Sequence, residues 1–174
     1  MKKIASLVLS LTAISAVCAA VLAYVNGVTQ GPIAEMKARQ EEAAVRAVLP
    51  EGVSQVEPLA EGAFVGRDGQ GAVVGYAARG SDAGGYGGDV VLMVGFEADG
   101  RTVVGYRKLV ANETPGLGMK LDSPEFAGQF RGRDGSALKV RKDGGEIEAI
   151  TSATITSRAV CRAIAAARQR LADR

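Results

Sequence analysis

The stretch VVLMVGFEADGRTVVGYRKLV (Val90–Val110) decides the fold. It holds two β-prone runs, Val90–Glu97 and Thr102–Val110, joined through Asp99-Gly100. Asp-Gly between such runs is a hairpin signal, because Gly takes up positive φ at no steric cost. The same pattern recurs on both sides. Ala72–Arg79 and Ala137–Arg141 read as further strands, and Asp68-Gly69, Asp134-Gly135 and Asp143-Gly144 as further turns. Val-Val-Gly-Tyr occurs at Val73–Tyr76 and again at Val103–Tyr106. No longer period accompanies it, so these are two similar strands and not a repeat array. Ser123–Phe130 reads as a short helix, with Pro124 at its start and Phe126 and Phe130 on one face. The last element, from about Ser157 to Ala172, carries Val160, Ile164, Ala167 and Leu171 at helical spacing. Arg158, Arg162, Arg168, Arg170 and Arg174 lie mostly off that stripe and read as a solvated face. The sum is an α+β fold, an antiparallel sheet packed with a few helices.

The N-terminus is of another kind. No charged residue occurs from Ile4 to Ala34. The 22 residues Ile4–Val25 span roughly 33 Å as a helix, at ~1.5 Å per residue, which matches a hydrocarbon core of about 30 Å. Lys2 and Lys3 precede the run, and no cation follows until Lys37. The positive-inside rule then places the N-terminus in the cytoplasm and the rest outside, with one membrane crossing. The rival reading is a cleaved signal peptide, for which Cys18-Ala19-Ala20 supplies small residues. The run is longer than the usual ~7–15-residue signal core, which favours a retained anchor. Pro32 then suits a first helical turn, Ile33–Leu49 is rich in helix formers, and Pro50 is a stop. This segment reads as a charged juxtamembrane helix with no contacts of its own. The expected division is an anchor over 1–30, a juxtamembrane helix over 31–50 and a folded domain over 51–174.

Composition narrows the chemistry. The chain has 174 residues, 23 of them Gly, no His and no Trp, and a net charge of +2. Absent His excludes His-based triads and His-ligated metal sites, so neither a catalytic residue nor a metal ligand is assigned. The small net charge gives no case for nucleic acid. Cys18 and Cys161 are too few for a disulfide framework and read as two small buried thiols.

Three stretches can carry chemistry. Thr151–Ser157 holds five hydroxyls in seven residues before the last helix, after a strand-like Ile147–Ile150. Such a cluster suits an N-cap, where Ser and Thr accept the free N–H groups of the first turn. The same geometry suits a phosphate, held by those N–H groups and the helix dipole or esterified to a hydroxyl. Asn112–Gly118 combines a carboxylate, a hydroxyl, a rigid Pro and two Gly, and reads either as a plain loop or as one that brings backbone amides to a flat polar ligand. Ser81–Asp89 is Gly-rich but lacks the helix and Lys of a phosphate-binding P-loop. It reads as a turn, with Tyr86 a candidate platform.

The order of anchor, GYGGDVVLMVGFEADG (Gly85–Gly100), ETPGLG (Glu113–Gly118) and EAITSATITSRAV (Glu148–Val160) resembles the FMN-binding domain family, and within it the G subunit of the Rnf (Rsx) ion-translocating electron-transport complex. The C subunit of the sodium-translocating NADH:quinone reductase is a relative. The resemblance implies FMN joined by a phosphoester to a threonine in Asp-x-x-(Ser/Thr)-(Gly/Ser)-Ala-Thr, attached by a flavin transferase with FAD as donor. Thr151, Ser152 and Ala153 match that pattern and place the flavin on Thr154. Glu148 stands where the family has Asp, and Thr156 carries a second hydroxyl that chemistry alone leaves open. By the same resemblance Glu113, Thr114, Gly116 and Leu117 line the isoalloxazine pocket. The implied function is that of a redox carrier, not a complete enzyme alone. It would serve a membrane complex coupling electron flow between ferredoxin and NAD to Na+ or H+ translocation, with the other subunits as partners. The alternatives are the C subunit of the quinone reductase, a membrane-anchored sensor or binding module without covalent flavin, and a structural assembly factor.

Overall fold

The computed structural model describes residues 2–173, so Arg174 of the expected arginine face lies outside the described residues. The chain divides into two compact units, Met1–Gln40 and Glu41–Arg174. Helix α1 spans Lys2–Val48. Its first part is long and apolar enough to cross a membrane. Ile4, Leu7, Leu9, Leu11 and Leu22 are all exposed there, and so is Cys18, against the expectation of two buried thiols. Cys161 in the second unit is buried, and burial pushes its thiol up to about 11, so it stays protonated.

The second unit is built on a five-stranded antiparallel meander in the order β1-β2-β3-β4-β5. The strands are β1 Gln55–Ala60, β2 Ala63–Arg67, β3 Val73–Gly85, β4 Gly88–Glu97 and β5 Val103–Ala111. The deciding hairpin is β4–β5, with Val94 opposite Tyr106 and Gly95 opposite Gly105. β1 and β2 were not among the expected strands. β1 is exposed along most of its length and contains Pro58, as an edge strand tolerates. The Gly-rich Ser81–Asp89 is not a loop: β3 runs through it to Gly85, which pairs with Gly88 across Tyr86-Gly87. Without side chains to reveal alternation, a glycine-rich strand reads as a turn.

Both faces of the sheet are covered, so β4 is buried without a break from Val90 to Phe96. One face, with Ala78, Leu92, Val94 and Phe96, packs on α3, Thr154–Ala172, through Val160, Ile164, Ala167 and Leu171. Fully burying one such Leu or Ile side chain contributes roughly 1.5–3 kcal/mol. The other face, with Ala77 and Met93, packs on Ala44, Val45 and Val48. The end of α1 therefore has contacts of its own, contrary to the reading of a free linker. Its apolar positions, interleaved with Glu41, Glu42 and Arg46, lie on one side of the last turns. Glycines permit both approaches: a Cβ at Gly95 would collide with the Val48 carbonyl, and one at Gly80 with the Ala163 carbonyl.

The short helix expected after Ser123 is present as α2, Pro124–Ala127, continued by a 3-10 turn over Gly128–Phe130. Phe126 and Phe130 are buried edge to face, with ring centroids 5.3 Å apart. Ala137–Arg141 and Ile147–Ile150 form no strand. They meet only at a parallel bridge between Val140 and Ile147, around a 3-10 turn at Arg141–Asp143 that Gly144 ends at φ 79°. Asp143-Gly144 therefore closes that turn and joins no antiparallel hairpin. Asp134-Gly135 likewise joins no two strands, and Asp134 makes only an isolated bridge to Thr102. The arginines of α3 are not simply a solvated face. Arg162 donates from Nε and Nη2 to both oxygens of Asp82 at 2.8 Å, Arg158 pairs with Asp143, and Arg170 donates to the Glu61 carbonyl. The Arg162 guanidinium holds the Asp82 carboxyl below the ordinary aspartate value, outweighing its partial burial.

Two outcomes follow from this packing. Gly80→Ala forces α3 off the sheet and lowers stability by about 1–3 kcal/mol, read as an earlier thermal melt by circular dichroism. Asp82 has a depressed folded pKa, so its contribution is fully present above the unfolded value and is lost as pH falls through the folded one. The gap in melting temperature between wild type and Asp82→Asn is thus widest at neutral pH and closes below pH about 4; a gap independent of pH would assign it to packing.

Candidate functional site

Three segments of the second unit meet at one cleft of about 450 Å³. The β3–β4 tip gives Tyr86, the loop after β5 gives Glu113, Thr114, Leu117 and Gly118, and the start of α3 gives Ser152, Ala153, Thr154, Ile155 and Thr156. Its size is that of a small-molecule site.

Glu113 joins the three. Its side chain is buried, with the residue 7% exposed. The Tyr86 N–H donates to Oε1 at 3.0 Å, and Thr156 Oγ1 donates to Oε2 at 2.8 Å. Gly85 and Gly118 pack directly against this carboxylate, where any Cβ would press on its oxygens. The loop itself turns at Thr114-Pro115-Gly116-Leu117. The Leu117 N–H donates to the Thr114 carbonyl at 3.2 Å, and Gly116 has φ 75°, as the third residue of a type II turn requires.

Helix α3 begins at Thr154, three residues earlier than the hydroxyl pattern indicates, and the residue before it, Ala153, makes no side-chain cap. The N-cap reading of Thr151–Ser157 therefore fails: Ala153 holds the cap position, and the Thr156 and Ser157 hydroxyls are engaged elsewhere. Thr156 is fully buried on Glu113. Ser157 Oγ accepts from the Ile150 N–H and donates to the Ala153 carbonyl, closing the turn. Thr154, half-buried, faces the cleft, and Lys142 Nζ donates to its Oγ1 at 3.4 Å. Among the described residues no side chain caps the first N–H groups of α3, which lie at the positive end of the helix dipole. Ser152 is the one non-Gly residue with positive φ, 62°, among the described residues.

Glu113, Thr114, Leu117, Ser152, Ala153, Thr154 and Thr156 are thus brought together, whereas Gly116 and Thr151 do not line the cleft. Gly116 shapes the turn, and Thr151 is exposed ahead of it. The sequence reading assigned no site role to Gly118, Ile155 or Lys142, and gave Tyr86 only as a platform. Tyr86, Leu117 and Ile155 are apolar yet exposed at the rim, at 71%, 41% and 48%. Glu148 lies outside the cleft, paired with Arg141 at 3.1 Å.

Residues 85–169, from the hairpin tip to α3, match the FMN-binding domain family. Over 174 aligned residues the chain is 33% identical to the G subunit of the ion-translocating oxidoreductase complex of Methanosarcina acetivorans, covering 94% of this chain and 92% of that one. The chain belongs to this G-subunit family. Another member, the G subunit of the Na+-translocating ferredoxin:NAD+ oxidoreductase complex of Acetobacterium woodii, is 35% identical, with 91% of this chain and 87% of that one covered. Among solved structures, the C subunit of the Na+-translocating NADH-quinone reductase from Parabacteroides distasonis has a TM-score of 0.50 at 23% identity. It covers 63% of this chain and 60% of that one, and the likeness is one of fold. In this member of the G-subunit family the matched region includes every residue that lines the cleft.

The left-handed backbone at Ser152 makes a direct prediction. Ser152→Gly relieves the conformation and raises stability by up to about 1 kcal/mol, whereas Ser152→Val lowers it by more than that. Thermal melts of both variants check the order.

Proposed function

We propose that this chain is a membrane-anchored electron carrier with FMN bonded through its phosphate to Thr154 Oγ1. The observation that carries the reading is the position of Thr154: it opens α3 at the cleft, where uncapped N–H groups and the helix dipole favour a phosphate. Thr156, the other threonine of the helix start, is committed to Glu113 inside the core. The cleft fits the remainder of FMN. Tyr86, Leu117 and Ile155 offer apolar surface to a flat ring, and the Thr114–Leu117 turn offers polar backbone at its edge. FMN, when bound, supplies the electron chemistry. The residues named here bind and orient it, and Glu113 keeps the three walls of the cleft in register.

The wider assignment follows the relatives. The G subunits at 33% and 35% identity belong to ion-translocating oxidoreductase complexes, one of them a ferredoxin:NAD+ oxidoreductase. The likeness to the C subunit of the quinone reductase is one of fold, so the G-subunit role is preferred. In this reading residues 1–30 anchor the chain in the inner membrane with the N-terminus in the cytoplasm, 31–50 lead to the domain with their last turns packed on its sheet, and 51–174 hold the flavin outside. A flavin transferase attaches FMN from FAD, and other membrane subunits exchange electrons with it. A covalent tether suits an exported domain, which has no cytoplasmic pool of FMN to draw on.

The test is the intact mass of the membrane-purified chain together with fluorescence of the denatured gel band. The wild type from a host with the transferase gains the mass of FMN less water and fluoresces after denaturation. Thr154→Ala loses both. Flavin retained by Thr154→Ala would overturn the attachment site, and an unmodified wild type would overturn the covalent flavin.

A further inference from the structure

The 3-10 turn Arg141–Asp143 places an exposed lysine beside Thr154, and ion pairs brace the turn on both sides of it. Lys142 Nζ reaches Thr154 Oγ1 at 3.4 Å. Before it, Arg141 pairs with Glu148 at 3.1 Å. After it, Asp143 accepts from Nε and Nη2 of Arg158 on α3, at 2.7 and 2.6 Å. The turn is closed by the Gly145 N–H donating to the Val140 carbonyl at 3.1 Å. The nearby arginines Arg141, Arg158 and Arg162 each have a carboxylate partner. Lys142 has none among the described residues, and its polar contact is a neutral hydroxyl. A lysine beside a hydroxyl, with no carboxylate of its own among the described residues, leaves a place for an anion. A phosphoryl group on Oγ1 would place its charged oxygens two bonds from the atom that Lys142 already touches.

We propose that Lys142 is the positioning residue for the phosphoryl group at Thr154, holding the flavin phosphate during attachment and serving as its counter-ion afterwards. This rests on the reading that FMN is bonded to Thr154. In the attachment step Oγ1 attacks the phosphorus on the FMN side of FAD. The Oγ1–P bond forms, the phosphoanhydride bond to AMP breaks, AMP leaves, and the hydroxyl proton passes to a base of the transferase. No electrons change hands. Lys142 stabilises the charge that gathers on the phosphoryl oxygens.

The experiment follows the mass gain of the unmodified full chain in detergent, with the flavin transferase and FAD, over time. Lys142→Gln is expected to slow the gain about tenfold, and Lys142→Arg to restore most of the rate. Lys139→Gln removes an equal charge from an exposed position on the same segment and is expected to leave the rate unchanged. The unmodified variants are expected to melt with the wild type, because Lys142 is exposed. A wild-type rate for Lys142→Gln would overturn the proposal. So would an equal slowing by Lys139→Gln, or an early melt that assigns the loss to folding. In each of these the wild type still gains its flavin at Thr154, so the attachment reading stands. Labelling of Thr154→Ala would instead bring down the attachment reading itself.

Discussion

The buried carboxylate of Glu113 is the constraint on which the cleft depends. A carboxylate inside a protein is costly unless its oxygens accept hydrogen bonds. Here one oxygen is satisfied by the β3–β4 tip and the other by α3, two segments far apart in the chain. The loop that carries Glu113 can therefore sit only where those two already meet. Gly85 and Gly118 leave room for nothing larger than a hydrogen around the carboxylate. Satisfaction of one buried group thus sets the relative positions of a hairpin tip, a loop and a helix start.

The sheet behind the cleft obeys a related rule of close approach. Two helical segments cover its two faces, and each comes near enough that a glycine must stand beneath a helix carbonyl. Gly80 and Gly95 do this on adjacent strands and opposite faces. The continuous apolar run of β4 is the result, since a strand covered on both faces has no side left for polar residues. α3 is at once the largest part of the core and the element whose first turn faces the cleft. Packing and site are then aspects of one helix placement, with Gly80 beneath its middle and Thr154 at its start.

Much of this was legible in the sequence. The β4–β5 hairpin, the apolar stripe of α3 and the Pro-Gly turn of the Glu113 loop are local patterns with local causes. The pairing of the ETPGLG loop with the Ser-Ala-Thr stretch came from resemblance, because nothing local says that residues 43 apart, Glu113 and Thr156, will touch. What escaped the sequence was non-local or concealed. The extension of β3 through Ser81–Gly85 is hidden by glycines that carry no alternating side chains. The engagement of Thr156 and Ser157 with Glu113 and Ile150, in place of capping, depends on where the sheet ends. Lys142 stands close to Thr154 on a Gly-ended 3-10 turn, where the sequence suggested a hairpin turn after a strand ending at Arg141.

The strand order also has a consequence for the path of folding. Each strand of the meander pairs with its immediate neighbour in the chain, so the sheet assembles through short loop closures, which are fast. α3 is different: its ion pair to Asp82 closes 80 residues at once. The hairpins can form while the C-terminal segment is still emerging, but the helix start that faces the cleft has no place until the 19 residues of α3 dock. An enzyme that reads the folded cleft therefore finds nothing to act on until α3 has docked. The topology thereby gives a built-in order of assembly, with the sheet first and the cleft last.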